Sequence, residues 1–324
     1  MTRINIAQQG ADTTGSEPID DILEKHNSPH TEFYFPEGRY KLKKFATDRN
    51  NITFRGNNAT LVPTERTSMG DWFELHSDGF VMDGFEWDIR KCPYPPRFHI
   101  WGDNWRVSNI AVRGHCGTNG KNMNIHGVSY LRGWVTSENG TGIWRNIYLP
   151  DGAGPPDGRY NRRAFLIAGE EQRGHMVFDQ VWMEHWAENT LYANNHPGKL
   201  TIKNSFFRNT NVGIRVGGGT TVKNCTFVRN YDKPLPDQGW SGGSMMRGVR
   251  IEGDDNWAYP GDVLIKNCDF KFYSPSDWKE SFEGPWNNRP PINWANAVES
   301  TTIEDCCIRY DGYHGHPIDK NNSS

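Results

Sequence analysis

The chain carries 36 Lys and Arg against 39 Asp and Glu over 324 residues, a net charge of -3 with interspersed signs, so no bulk charge points to nucleic acid or to an anionic membrane surface. Its hydrophobic fraction of 35%, with 34 Gly and 13 Trp, is low for a globule of this size yet suits a narrow repetitive core, read as one domain although the length alone would suggest two. No apolar run approaches the ~20 residues of a membrane span, and Met1 leads into a polar strand with no signal-peptide pattern.

From Gly10 to His26 the sequence GADTTGSEPIDDILEKH sets a Gly-Ala-Asp turn before a short amphipathic helix. Ser16 is placed to cap it and Pro18 to start it, while Ile19, Ile22 and Leu23 share one face. Residues 1–30 are therefore expected to cover an open end of the fold. Phe33 to Leu42, FYFPEGRYKL, then reads as a strand closed by Phe-Pro-x-Gly-x-Tyr.

A short phrase then recurs in eight places. It is weak around Val81 to Phe85, Arg106 to Ile110, Ile143 to Ile147 and Val177 to Val181, and strong over Thr201 to Phe207, Thr221 to Phe227, Leu264 to Phe270 and Thr302 to Ile308. Its turn residue is Gly84, Asn109, Asn146, Gln180, Asn204, Asn224, Asn267 or Asp305. Two positions earlier stand Met82, Val107, Trp144, Phe178, Ile202, Val222, Ile265 and Ile303, all apolar. One position later come Phe85, Ile110, Ile147, Val181, Ser205, Cys225, Cys268 and Cys306, and three later Trp87, Val112, Leu149, Met183, Phe207, Phe227, Phe270 and Ile308. Inward columns on either side of a fixed turn describe one coil of a β-solenoid. Asn suits the turn because it tolerates a left-handed backbone and its amide can bond its copy in the next coil. The coils, with inserted loops, are expected over residues 31–310, and a tail over 311–324. Cys225, Cys268 and Cys306 share one inward column, where thiols pack as small core residues. Cys92 and Cys116 lie near loops of neighbouring coils and could pair, which leaves the redox compartment open.

The opening segment and the coils together, from Ile4 to about Tyr310, resemble the pectate-lyase-like right-handed parallel β-helix superfamily. The resemblance implies an all-β fold, a right-handed parallel β-helix (solenoid) with a short N-terminal capping helix. It also implies that the turn Asn lies between the second and third strands of a coil, and that the solvent side of the first strand, a short way upstream, binds substrate.

On that placement the first strands run over Phe73 to His76, Phe98 to Trp101, Met123 to His126, Phe165 to Ala168, Leu191 to Asn194, Ile214 to Gly217, Val249 to Glu252 and Ala297 to Glu299. Alternation turns one column outward as Glu74, His99, Asn124, Leu166, Tyr192, Arg215, Arg250 and Ala297. The next outward column is His76, Trp101, His126, Ala168, Asn194, Gly217, Glu252 and Glu299. Exposed ladders favour long and aromatic side chains for packing alone, but clustered Arg and His with little Lys also suit chemistry on an acidic sugar.

β-Elimination at a uronate needs a cation on the C6 carboxylate, a base for the C5 proton and an acid for the leaving oxygen. Arg215 and Arg250 fit the first role, Tyr192 that of base or acid, and His126 or His99 that of its partner, since His exchanges a proton near neutral pH. Glycoside hydrolysis instead needs two carboxylates ~5–10 Å apart, which Glu252 and Glu299 on successive coils would supply. Trp101, Asn124, Asn194, Glu299 and the loop residues Trp240 and Trp257 are the expected substrate contacts. The strip lacks the acidic cluster by which pectate lyases hold calcium, and Glu184, His185, His314 and His316 make no complete ligand set, so no metal or other cofactor is expected.

The expected function is a polysaccharide lyase acting on an acidic, uronate-containing glycan. A glycoside hydrolase is one alternative; a glycan- or receptor-binding protein without turnover, such as a viral tail-spike or surface component, is another. The expected partner is a polysaccharide substrate or glycan receptor, met outside the cell or at a virion surface, with a homo-oligomer left open.

Overall fold

A computed structural model describes residues 1–64, 70–92, 96–116, 128–153, 162–186, 189–210, 212–230, 247–252, 259–273, 290–294, 298–311 and 316–320. Each strand pairs in parallel with its counterpart one coil on, which makes the chain a parallel β-helix. One sheet holds the first strand of each coil: Phe45–Thr47, Asp71–His76, Arg97–Trp101, Val128–Trp134, Arg162–Ala168, Asn189–Asn195, Val212–Val216, Arg247–Ile251, Ile292–Trp294 and Ile318–Lys320. The rest of each coil forms a second sheet bent at the turn residue.

The bend follows from the repeat. Asn109, Asn146, Asn204, Asn224 and Asn267 take φ between 51° and 54°, Gln180 takes 58° and Asp305 51°. Side-chain amides run from coil to coil, with Asn146 Nδ2 donating to Asn109 Oδ1 at 2.7 Å, Asn224 to Asn204 at 3.1 Å and Asn267 to Asn224 at 2.9 Å. Gln180 interrupts this ladder, and Asn204 donates instead to Asp179 Oδ1 at 2.8 Å.

The three apolar columns are buried from Met82 to Cys268 as the spacing requires. In the last coil Ile303, Cys306 and Ile308 are only half-buried. Cys225, Cys268 and Cys306 each direct Sγ to the carbonyl two residues back, at 3.3, 3.3 and 3.2 Å, as Ser205 Oγ does at 2.7 Å in the same column. All six cysteines, Cys92 and Cys116 included, are free thiols. Cys225 and Cys268 should therefore resist alkylation until the chain is denatured, whereas exposed Cys307 should label at once. Mass mapping of a timed iodoacetamide reaction checks this, and rapid native labelling of Cys225 would contradict the packed column.

Both ends differ from expectation. The helix is Asp20–Lys25, with Ile19 at its N-cap and no side-chain cap bond; Ser16 and Pro18 belong to the preceding strand Thr14–Pro18. Ile19 and Leu23 still bury into the core. The strand Thr2–Asn5 already pairs with Thr31–Phe35, and Ile318–Lys320 pairs with Ile292–Trp294, so rungs of the solenoid occupy stretches expected to be cap and tail.

Two first strands also move. In place of Met123 to His126, the coil uses Val128–Trp134, where Leu131 pairs with Phe98 and Phe165. Its alternation is hidden because Gly133 holds the inward position that Leu75 and Ile100 fill in earlier coils. A Cβ there would stand 2.9 Å from the Trp105 ring and 3.4 Å from that of Trp144, so tryptophans from the other sheet fill the space instead. In place of Ala297 to Glu299, the coil uses Ile292–Trp294, entered through Pro290 and Pro291. Prolines signal against a strand, but here the Pro291 carbonyl accepts the Gly248 and Val249 N–H groups, both at 2.9 Å, and no proline N–H is needed.

Candidate functional site

Register in the first sheet fixes one outward column as Glu74, His99, Arg132, Leu166, Tyr192, Arg215, Arg250 and Asn293. Arg132 takes the position expected for Asn124, and Asn293 that expected for Ala297. Adjacent members stand ~4.8 Å apart along the solenoid axis.

Tyr192, Arg215 and Arg250 come together as expected. The Tyr192 ring lies between two guanidiniums, with Arg215 Cζ 4.5 Å and Arg163 Cζ 4.2 Å from its centroid. Glu252 is 8% exposed and pairs with both Arg215 and Arg250. Its carboxylate thus fixes two forks that would otherwise repel, and one negative charge is set against two positive ones.

Glu299 does not join this group. It is an exposed residue immediately before the strand Ser300–Glu304 of the second sheet, with its N–H donating to the Gly261 carbonyl at 3.3 Å. The column that would set Glu299 beside Glu252 is therefore not formed, because Ile292–Trp294 is the strand paired with Val249–Ile251. Asn194 is buried beside Tyr192 with an Oδ1 that has no hydrogen-bond partner, and Asn293, next to Arg250, is buried with an unpartnered Nδ2. His126, Asn124, Trp240 and Trp257 lie outside the described residues.

At the N-terminal half of the face, His99 is 5% exposed, with Nδ1 3.2 Å from Asp71 Oδ1. The expectation that it exchanges a proton near neutral pH is not met. Burial, with Arg132 and Arg97 alongside, pushes its pKa down to about 3, so the ring is neutral there. In the neighbouring outward column His76, Trp101 and Trp134 form a ring stack, with centroids 4.6 and 4.8 Å apart and planes within 3° and 2° of parallel. Both faces of Trp101 are covered by this stack, which leaves only its edge for a ligand. Trp134 is the last residue of the strand Val128–Trp134, and its Nε1 donates to the Ala168 carbonyl at 2.8 Å.

Arg97, Arg132 and Arg163 are the additions that the sequence did not disclose. Arg132 was hidden by the displaced strand, and Arg97 and Arg163 sit at strand starts, where alternation assigns no clear face. With Arg215 and Arg250 they place guanidiniums on five coils of one sheet. Of the described helices, none is long and apolar enough to cross a membrane.

No family model matches the chain, and no curated protein matches it. Among solved structures it is similar to ORF18 of Geobacillus virus E2, at 15% identity and a TM-score of 0.47, covering 96% of this chain and 58% of that one, so it spans little more than half of the viral protein. It is also similar to the A-module of the mannuronan C-5 epimerase AlgE4 of Azotobacter vinelandii, at 11% identity and a TM-score of 0.44, covering 94% of this chain and 95% of that one.

Proposed function

We propose that this chain is a carbohydrate-active β-helix protein that cleaves an acidic glycan by β-elimination at a uronate, outside the cell or at a virion surface. The observation that carries the reading is the Tyr192 ring held between Arg163 and Arg215, with Arg250 next in the column. Arg215 and Arg250 would take the C6 carboxylate in a bidentate grip and stabilise the charge that develops when C5 loses its proton. Tyr192, acting as its phenolate, would accept that proton and become the phenol, the electron pair would form the C4–C5 double bond, and the C4–O bond would break. The departing oxygen is then protonated by Tyr192 or water. Glu252 would orient the two guanidiniums without exchanging a proton itself. Hydrolysis loses its second carboxylate with the displacement of Glu299.

The test is incubation with a panel of polyuronates, followed by ultraviolet absorbance of the unsaturated product alongside a reducing-end assay. Unsaturated ends support elimination; new reducing ends without unsaturation support a hydrolase; binding with no product makes the face a recognition surface. Glu252→Gln separates the first two further. In the elimination reading it keeps the shape of the clamp and turnover should fall no more than about tenfold, still giving unsaturated ends. A loss beyond ~10³-fold, with saturated products in the wild type, would make Glu252 a catalytic acid or base.

A further inference from the structure

Among the described residues no carboxylate forms an ion pair with the Arg132 guanidinium, and its Nε is buried with no hydrogen-bond partner. Burial lowers its pKa, Arg97 and Arg163 push the same way, and only Asp71 opposes them. Asp71 is itself 3.1 Å from Arg97 Nε and 3.2 Å from His99 Nδ1. On the other side of Arg132 in its column stands Leu166, which offers no charge. A half-buried cation among like charges carries a cost, and an arriving oxyanion would relieve it. The planar fork of Arg suits a carboxylate.

We infer that Arg132 is a second anion subsite, which takes a carboxylate of the same glycan chain whose reacting uronate lies at Arg215 and Arg250. The inference rests on the proposed function and narrows its substrate. Arg132 and Arg215 are three coil steps apart in one column, about 14 Å at ~4.8 Å per step. Columns run along the solenoid axis, so the glycan lies across the strands, and the ligand is a polymer with acidic groups about that far apart. An extended sugar unit is about as long as one coil spacing, so the two carboxylates belong to residues some three units apart. Leu166 lies beneath the stretch between them, and Tyr192 borders the reacting uronate. A disaccharide cannot reach both subsites.

The experiment is calorimetric titration of oligogalacturonate and oligomannuronate ladders, from disaccharide to hexasaccharide, in a Tyr192→Phe background that slows their consumption. Affinity should rise in a step of about tenfold to a hundredfold at the length that first spans both subsites, as expected for one more charge-assisted contact. Adding Arg132→Gln should abolish the step, leave the short oligomers unchanged and raise rather than lower the thermal transition. If Arg132→Gln does not fold, Arg132→Lys decides instead, since it keeps the charge without the fork and should retain only part of the step. A smooth length dependence, or a step that survives the Arg132 substitution, overturns the subsite and leaves the proposed function standing. Absence of binding at every length overturns both.

Discussion

Tyr192→Phe is expected to lower turnover by about 10²–10⁴-fold, the usual contribution of a positioned proton carrier, while leaving the fold and the affinity for glycan in place. The substitution removes one oxygen. Phenylalanine keeps the ring that Arg163 and Arg215 cover at 4.2 and 4.5 Å, so the cation–π contacts and the spacing of the column survive. Arg215 and Arg250 remain tied to Glu252, and the carboxylate grip that governs binding is unchanged. The fall should therefore appear in kcat with KM nearly constant, measured by initial rates of unsaturated-product formation and by calorimetry. A variant with near wild-type kcat would remove Tyr192 from proton transfer, and one that loses binding and rate together would make it a structural part of the grip.

Much of this site was legible because the signals behind it are local. A turn Asn with φ near 50° every coil fixes the phase of the repeat, and the phase fixes which residues of each first strand point outward. Tyr192, Arg215 and Arg250 lie on strands whose inward partners, Leu191, Ile214 and Val249, alternate cleanly and bury fully. Arg132 was not legible. Its strand carries Tyr130 and Leu131 buried side by side and Gly133 where a large residue is the rule, because the filling comes from Trp105 and Trp144 of other strands. Period-2 reasoning sees only the strand's own contribution to the core. Glu299 was misplaced for the converse reason, since Ala297 to Glu299 alternates acceptably while the strand that pairs follows two prolines. The neutral state of His99 depends on burial and on Arg132 and Arg97, and no pattern within its own strand carries that information.

The tryptophans that hide Arg132 also hold it, and Trp144→Ala should test that dependence with the largest loss of stability at any single position considered, about 3–5 kcal/mol. Trp144 is fully buried and meets Phe98, Trp105 and Phe165 at ring-centroid distances of 5.6, 5.3 and 5.0 Å. Its Nε1 has no hydrogen-bond partner, so the cost is one of packing alone. Gly133 cannot collapse into the space, having no side chain, and the Val128–Trp134 and Arg162–Ala168 strands that carry Arg132 and Arg163 would lose their support from beneath. Denaturant unfolding of the variant gives the loss directly. Coupling with the glycine gives a sharper check. Gly133→Ala alone should destabilise, since the added Cβ would stand 2.9 Å from the Trp105 ring. In the Trp144→Ala background Trp105 can tilt into the vacated volume, and the same change should cost less. Additive losses, or a Trp144→Ala cost below about 1 kcal/mol, would mean that these rings do not fill the Gly133 position and that Arg132 owes its place to something else.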